Sequence, residues 1–196
     1  NDYPYFVSSD WAPDARARRI NQLIASKISA KQLLTQEDQL LFQQDVLDLE
    51  ALKLLPHLLL QTTQSDELSE AMGYLREWDG FAGKNSIAAS IYFMWLPQIK
   101  RQVFEDELHA FHLQRNLDDG IDTLLDAISN DKLILALSDP EERWCDDLST
   151  KVRENCEDIK RASLNVAIDE LQKYFGSDLN HWFWGKLQNV YLSHQP

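Results

Sequence analysis

The sequence is short of the residues that break helices: only 6 glycines and 6 prolines occur in 196 residues. Nowhere does an alternating apolar-polar pattern run for more than a few residues, and no segment repeats, which argues against a sheet, a propeller or a solenoid. Basic residues are outnumbered, 19 Lys and Arg against 32 Asp and Glu, for a formal net charge of −13. Nucleic-acid phosphates and anionic membranes both select for Lys and Arg, so neither is an expected partner. No apolar run reaches the roughly 18 residues a membrane helix needs. The opening Asn1-Asp2-Tyr3-Pro4 has no Met, basic region or apolar core of a signal peptide, and is expected to lie inside a longer product. Two cysteines, Cys145 and Cys156, say little about compartment. The plain reading is two free thiols, one of them buried; the alternative is one disulfide closing a short loop.

What is present is helical. Leu, Gln, Glu and Ala abound, with 44% hydrophobic and 26% charged residues. A chain of this length buries roughly 70% of its unfolded surface, enough for a proper core. The expected fold is all-α, an irregular multi-helix domain spanning 1–196. It has an extended entry segment over 1–13 and an aromatic tail over 176–196 that can run extended.

Pro13 suits a first helical turn, and a helix is predicted from Asp14 to about Lys27 with Ile20, Leu23 and Ile24 inward. Thr35 is an N-cap for a helix carrying Leu40, Leu41, Val46 and Leu47. A second apolar run, Leu49 to Leu60, contains Pro56 as a kink or restart. Ser65 caps a helix with Leu68, Met72 and Leu75 inward. After Trp78-Asp79-Gly80, either Asn85 or Ser86 starts a helix apolar on nearly every side, which Pro97 should bend. A further helix is predicted over Phe104 to Arg115. The pieces Ile121–Ile128 and Leu133–Leu137 are short. The longest regular helix is predicted over Leu148–Phe175, with Val152, Cys156, Ile159, Ser163, Val166 and Leu171 inward and Gly176 as its C-terminal cap.

Several blocks of sequence occur in a recognisable order. The first comprises Tyr3-Pro4, Trp11-Ala12-Pro13 and Arg16-Ala17-Arg18-Arg19-Ile20. The second is Gln43-Gln44-Asp45 with Ala51 and Leu54-Leu55-Pro56. The third is Leu75-x-x-Trp78-Asp79-Gly80 followed by Ser86-x-Ala88-Ala89-x-x-Tyr92-x-x-Trp95. The fourth is Trp144-Cys145-Asp146-Asp147 with Thr150 and Glu154, and the fifth is Trp184-Gly185 with the His194 region. In this order they resemble the penicillin acylase (penicillin amidase) family of N-terminal-nucleophile hydrolases. One departure is Gln188, where members often carry His.

The resemblance implies a parent enzyme that cuts its own precursor. It exposes an N-terminal Ser whose α-amine, with a pKa near 8, acts as its base. An asparagine and backbone N–H groups hold the oxyanion. Asn1 has no hydroxyl or thiol, so the chain resembles an internal segment of the large subunit, beyond the nucleophile and the oxyanion asparagine. By the resemblance the αββα catalytic sandwich is elsewhere, and this helical piece alone is expected to be inactive. The parent would cleave acyl amides such as β-lactam side chains or acyl-homoserine lactones. Its partners would be the small subunit, the rest of the precursor and the small-molecule amide.

Arg16 lies five residues beyond Trp11, where the family places an arginine near the substrate. It is the substrate-binding candidate, set against a first-turn arginine paired with Asp10 or Asp14. The family's periplasmic location makes a Cys145–Cys156 disulfide the expectation, contributing up to about 3 kcal/mol. No cofactor is expected; members of the family often bind a structural calcium, which the full-length parent could hold, and Asp10 lies near one of its ligand regions.

Other groupings have plainer readings. Glu105, His109 and His112 share a helix face but do not form a His-Glu-x-x-His pattern, and no metal site is expected there. Asp118-Asp119-Gly120-Ile121-Asp122 reads as a turn and N-cap rather than a calcium loop, and Gly176-Ser177 as a helix end. Trp182-Phe183-Trp184 reads as an interface rather than a ligand pocket. The rival to the hydrolase reading is a stand-alone acidic helical protein that binds a partner. A third class is a helical zinc enzyme using His109 and His112.

Overall fold

A computed structural model describes residue 5 and residues 14–115 and 120–188, with the side chains of 112–115 set aside. The entry segment apart from Tyr5, Asp118, Asp119, the His112 side chain and His194 therefore lie outside the described residues. The chain is all-α: nine α-helices and two 3-10 turns account for the elements among the described residues. Its contacts divide it into two compact units, 1–49 and 50–196.

The first unit is a pair of helices, α1 (Ala15–Ser29) and α2 (Gln36–Gln43). Thr35 starts α2 through a capping box: its hydroxyl accepts from the Asp38 N–H at 3.2 Å, and the Asp38 carboxylate accepts from the Thr35 N–H at 3.1 Å. Ile20, Leu23 and Ile24 are half-buried, as their spacing predicts. Helix α2 is shorter than the span predicted for it. The helix ends at Gln43, before Val46 and Leu47, and Leu40, Leu41 and Val46 are exposed. Charged contacts described below capture its last carbonyls instead.

The second unit is built around α5 (Ile87–Arg115). Before it come α3 (Leu49–Leu58) and α4 (Asp66–Glu77), whose buried stripes are Ala51, Leu54, Leu55, Leu58 and Leu68, Ala71, Met72, Leu75. Ser65 caps α4 by accepting the Leu68 N–H. Pro56 stays inside α3, which ends two residues later.

The loop from α4 to α5 accounts for the Trp-Asp-Gly block residue by residue. The Trp78 indole N–H donates to the Phe81 carbonyl and the Asp79 carboxylate accepts from the Phe81 N–H, each at 3.0 Å. Gly80 has φ +85°, and a Cβ there would sit 2.6 Å from Leu52 Cγ. Both the backbone conformation and the close approach of α3 therefore require glycine. Ser86, not Asn85, caps α5, accepting the Ala89 N–H at 3.1 Å.

Two predicted helices merge in α5: it runs through Pro97 to Arg115 without a second start at Phe104. A proline inside a helix costs roughly 3 kcal/mol. Here Pro97 is on the exposed side, between fully buried Trp95 and Ile99, whose packing offsets the lost hydrogen bond. Helices α6 (Ile121–Ala127) and α7 (Asn130–Leu137) follow, then a 3-10 turn at Arg143–Cys145.

Helix α8 (Cys156–Phe175) lies along α5 and is its principal partner. It starts eight residues later than its apolar spacing predicts. Asn155 supplies the cap, accepting the Asp158 N–H at 3.0 Å. Its buried stripe is Cys156, Ile159, Ser163, Leu164, Ala167, Ile168 and Leu171. Val166 falls beside that stripe and Val152 precedes the helix; both are exposed. Gly176 ends α8 at φ +82°.

The tail is not simply extended. A 3-10 turn at Leu179–His181 leads to a one-turn α9 (Trp184–Leu187). Trp182 is fully buried and its indole N–H donates to the Gly176 carbonyl at 2.9 Å. The Trp-Gly block docks on the start of α5, Trp184 N–H to Ser86 O at 3.2 Å and Gly185 N–H to Lys84 O at 2.8 Å. A Cβ on Gly185 would lie 2.8 Å from Lys84 Cβ, so the close backbone pairing explains that glycine too.

Candidate functional site

In the first unit, the start of α1 and the end of α2 are joined by two arginines. Arg16 Nη1 donates to the Asp45 carbonyl at 3.0 Å, and Nη2 donates to the Phe42 and Gln43 carbonyls at 2.8 and 3.3 Å. Those carbonyls lie at a helix C-terminus, where the backbone presents unpaired acceptors and partial negative charge. A guanidinium fits them because its planar fork offers several N–H groups at once. Asp14, offered above as a partner for Arg16, pairs instead with Arg18 at 2.8 Å. Asp10 is outside the described residues.

Arg19 grips the same turn through a side chain. Its Nε and Nη2 donate to the two oxygens of Asp45 at 2.9 and 2.8 Å. The pair is shielded, with the Asp45 side chain only 9% exposed. The hydrogen bonds from Arg19, helped by the Leu47 N–H and the charges of Arg19 and Arg16, hold the Asp45 carboxyl below the usual carboxylate range. At the other end of the helix pair, Lys27 meets Asp38 at 2.7 Å and lowers that carboxyl likewise. The first two sequence blocks, 26 to 29 residues apart, thus meet as one charged clasp. Sequence reading singled out Arg16 but passed over its connection to Asp45, since nothing local in the sequence pairs them.

In the second unit, Cys145 and Cys156 are joined by a disulfide with their Cα atoms 4.9 Å apart. Between them the fourth block folds into a loop tied by its own acids. Asp146 accepts the Glu154 N–H at 3.2 Å, and Glu154 accepts from the Asp147 N–H and the Thr150 hydroxyl at 3.3 and 2.9 Å. Asp106 of α5 accepts the Leu148 N–H at 2.8 Å, docking the loop on the long helix.

Glu107 is the titratable group that sequence reading missed. Burial pushes its carboxyl from 4.5 up to about 8, helped by a hydrogen bond to Asp106 and the negative charges of Asp106 and Asp147. A carboxyl whose value is raised in the folded state binds its proton more tightly than in the unfolded chain. The stability this confers is full below about pH 4.5 and is lost as pH rises through about 8. Glu107→Gln removes the titration. In thermal melts followed by circular dichroism, the variant should gain on the parent steadily from about pH 5 to about pH 9. A difference that stays constant across that range would contradict the burial argument.

An open cavity of about 590 Å³ is lined by Phe93, Met94, Tyr174, Phe175, Trp184 and Leu187 among others. Trp184 stacks on Phe93 at 4.6 Å, and Tyr92 and Trp78 continue the aromatic cluster. Of the Trp182-Phe183-Trp184 run, Trp182 belongs to the core and Trp184 to this cavity.

No group of three or more His, Cys, Asp and Glu side chains is arranged to hold a metal ion among the described residues. Glu105 pairs with Arg101 and lies 4.0 Å from His109 Nε2, so its charge is already engaged.

No curated protein matches the chain. The family model for penicillin amidase matches residues 1–196, its entire length, and the chain belongs to that family.

Proposed function

We propose that this chain is the helical flank of a penicillin-amidase-type hydrolase whose N-terminal Ser nucleophile and αββα sandwich are carried on other segments of the same precursor. Membership of the family along all 196 residues is the observation that carries the reading. The parent hydrolyses a linear amide between an acyl or arylacyl group and an amine. β-Lactam side chains and acyl-homoserine lactones are the first substrates to screen. Arg16 is the residue of this segment assigned to the substrate. Three carbonyls hold one N–H of Nη1 and both of Nη2; the Nε–H and the other Nη1 N–H, for which the described residues show no partner, are assigned to an acyl or amide oxygen. The Cys145–Cys156 bond supports an oxidising compartment, and the periplasm of a Gram-negative bacterium is the proposed location. The remainder of the precursor is the obligatory partner.

The test is hydrolysis of chromogenic arylacetyl amides and acyl-homoserine lactones by the full-length gene product and by the isolated 196-residue chain. Turnover by the full product alone is the expected result. Turnover by the isolated chain, or by neither on any acyl amide, would contradict the proposal.

A further inference from the structure

The first unit is held together in an unusual way, and that bears on Arg16. No side chain of α1 is fully buried, and the one buried residue of α2 is the charged Asp38. Charge closes the helix pair at both ends, Arg19 on Asp45 at one and Lys27 on Asp38 at the other. Asp45 has two functions in this arrangement. Its carboxylate receives both donors of Arg19, and its carbonyl receives Nη1 of Arg16. The Leu47 N–H donates to the same carboxylate at 3.3 Å, so the turn after α2 is fixed from both sides.

We infer that Asp45 is a positioning residue for the parent hydrolase, and that the Arg19–Asp45 pair holds the turn on which the Arg16 guanidinium is seated. The inference rests on the assignment of Arg16 to the substrate made above. The physical argument is that a long, flexible side chain reaches a ligand in one geometry only if something else fixes it. Three carbonyls from one helix end fix Arg16, and two charge-assisted hydrogen bonds to a shielded carboxylate fix that helix end. A displacement on the order of 1 Å at a substrate-positioning group lowers turnover up to a hundredfold. Lys27–Asp38 offers an internal control: it closes the same helix pair, is also shielded on the acid side, and touches neither Arg16 nor its carbonyls.

The experiment uses the full-length processed enzyme and a chromogenic acyl amide. It compares Arg16→Ala, Asp45→Ala, the milder Asp45→Asn and Arg19→Lys, the double variant Arg16→Ala/Asp45→Ala, and Asp38→Ala as control. Asp45→Ala should lower kcat/KM roughly thirty- to hundredfold, close to the loss in Arg16→Ala. Asp45→Asn and Arg19→Lys should give smaller losses in the same parameter. The double variant should be no worse than Arg16→Ala alone, because the two residues act as a unit. Asp38→Ala should lower Tm while leaving kcat/KM within about twofold. Multiplying losses in the double variant, or an Asp45→Asn enzyme with lowered Tm and parental kcat/KM, would overturn the positioning role and leave the Arg16 assignment standing. Parental kcat/KM in Arg16→Ala would overturn both.

Discussion

Replacing Trp95 with alanine should cost about 4 kcal/mol of folding stability, the largest loss expected from any single side chain of the second unit. Trp95 is fully buried on α5, and its indole N–H donates to the Ser163 hydroxyl of α8 at 2.8 Å. Ser163 is fully buried too, and its own proton goes to the Lys160 carbonyl at 3.0 Å. The polar atoms in the centre of this helix pair are therefore matched. Alanine would open a cavity and leave the serine one partner short. Against a total stability of roughly 5–15 kcal/mol, that is a large fraction. Trp95→Phe separates the two contributions. It keeps most of the volume and loses the hydrogen bond, worth about 1 kcal/mol net. Urea titrations of the two variants, with Ser163→Ala to close a double-mutant cycle, would measure each part. A Trp95→Ala loss under about 1 kcal/mol would show that α5 and α8 do not pack as described.

Breaking the Cys145–Cys156 bond should cost about 3 kcal/mol, the loop-closure value for a short loop. The bond joins the 3-10 turn after α7 to the first residue of α8, and both cysteines are buried. The loop between them is held by two half-buried hydrogen bonds and one exposed one among Asp146, Asp147, Thr150 and Glu154. Each such bond contributes about 1 kcal/mol net, so the covalent link is the largest single contribution to the loop's order. Cys145→Ser/Cys156→Ser should lower the urea midpoint and raise protease sensitivity between 146 and 155, with α5 and α8 protected. Uniform sensitivity along the chain would mean that the disulfide supports the whole second unit.

Much of the fold is legible in the sequence because local rules and tertiary contacts agree. Thr35, Ser65 and Ser86 cap where their side chains predict, and the α3 and α4 stripes fall at helical spacing. The departures have physical causes. Pro97 signals a break, but Trp95 and Ile99 beside it are fully buried and the helix continues. Val152 extends the apolar spacing of α8 backward, but Asn155 fixes the start through a polar contact that periodicity does not register. Helix α2 stops short of Val46 and Leu47 and leaves Leu40 and Leu41 exposed, because its closure on α1 is by charge, which apolar spacing does not register.

The candidate site divides in the same way. The arginine at 16 stands out only through the family resemblance, which places an arginine five residues beyond a tryptophan, and Gly80 and Gly185 through the blocks that carry it. Asp45 does not, because its importance comes from a partner 26 residues away. Glu107 does not either: its raised carboxyl depends on burial and on the nearby charges of Asp106 and Asp147, and no local pattern announces the docking of Asp147's loop on α5.

The central claim is that this helical chain serves a self-processing amide hydrolase. Intact mass and N-terminal sequencing of the mature full-length gene product test it most directly. The expected result is two chains, the larger beginning with Ser upstream of Asn1 and containing the whole of 1–196. A single uncut chain would contradict self-processing. The helices would then belong to a relative that keeps the family's shape without its reaction.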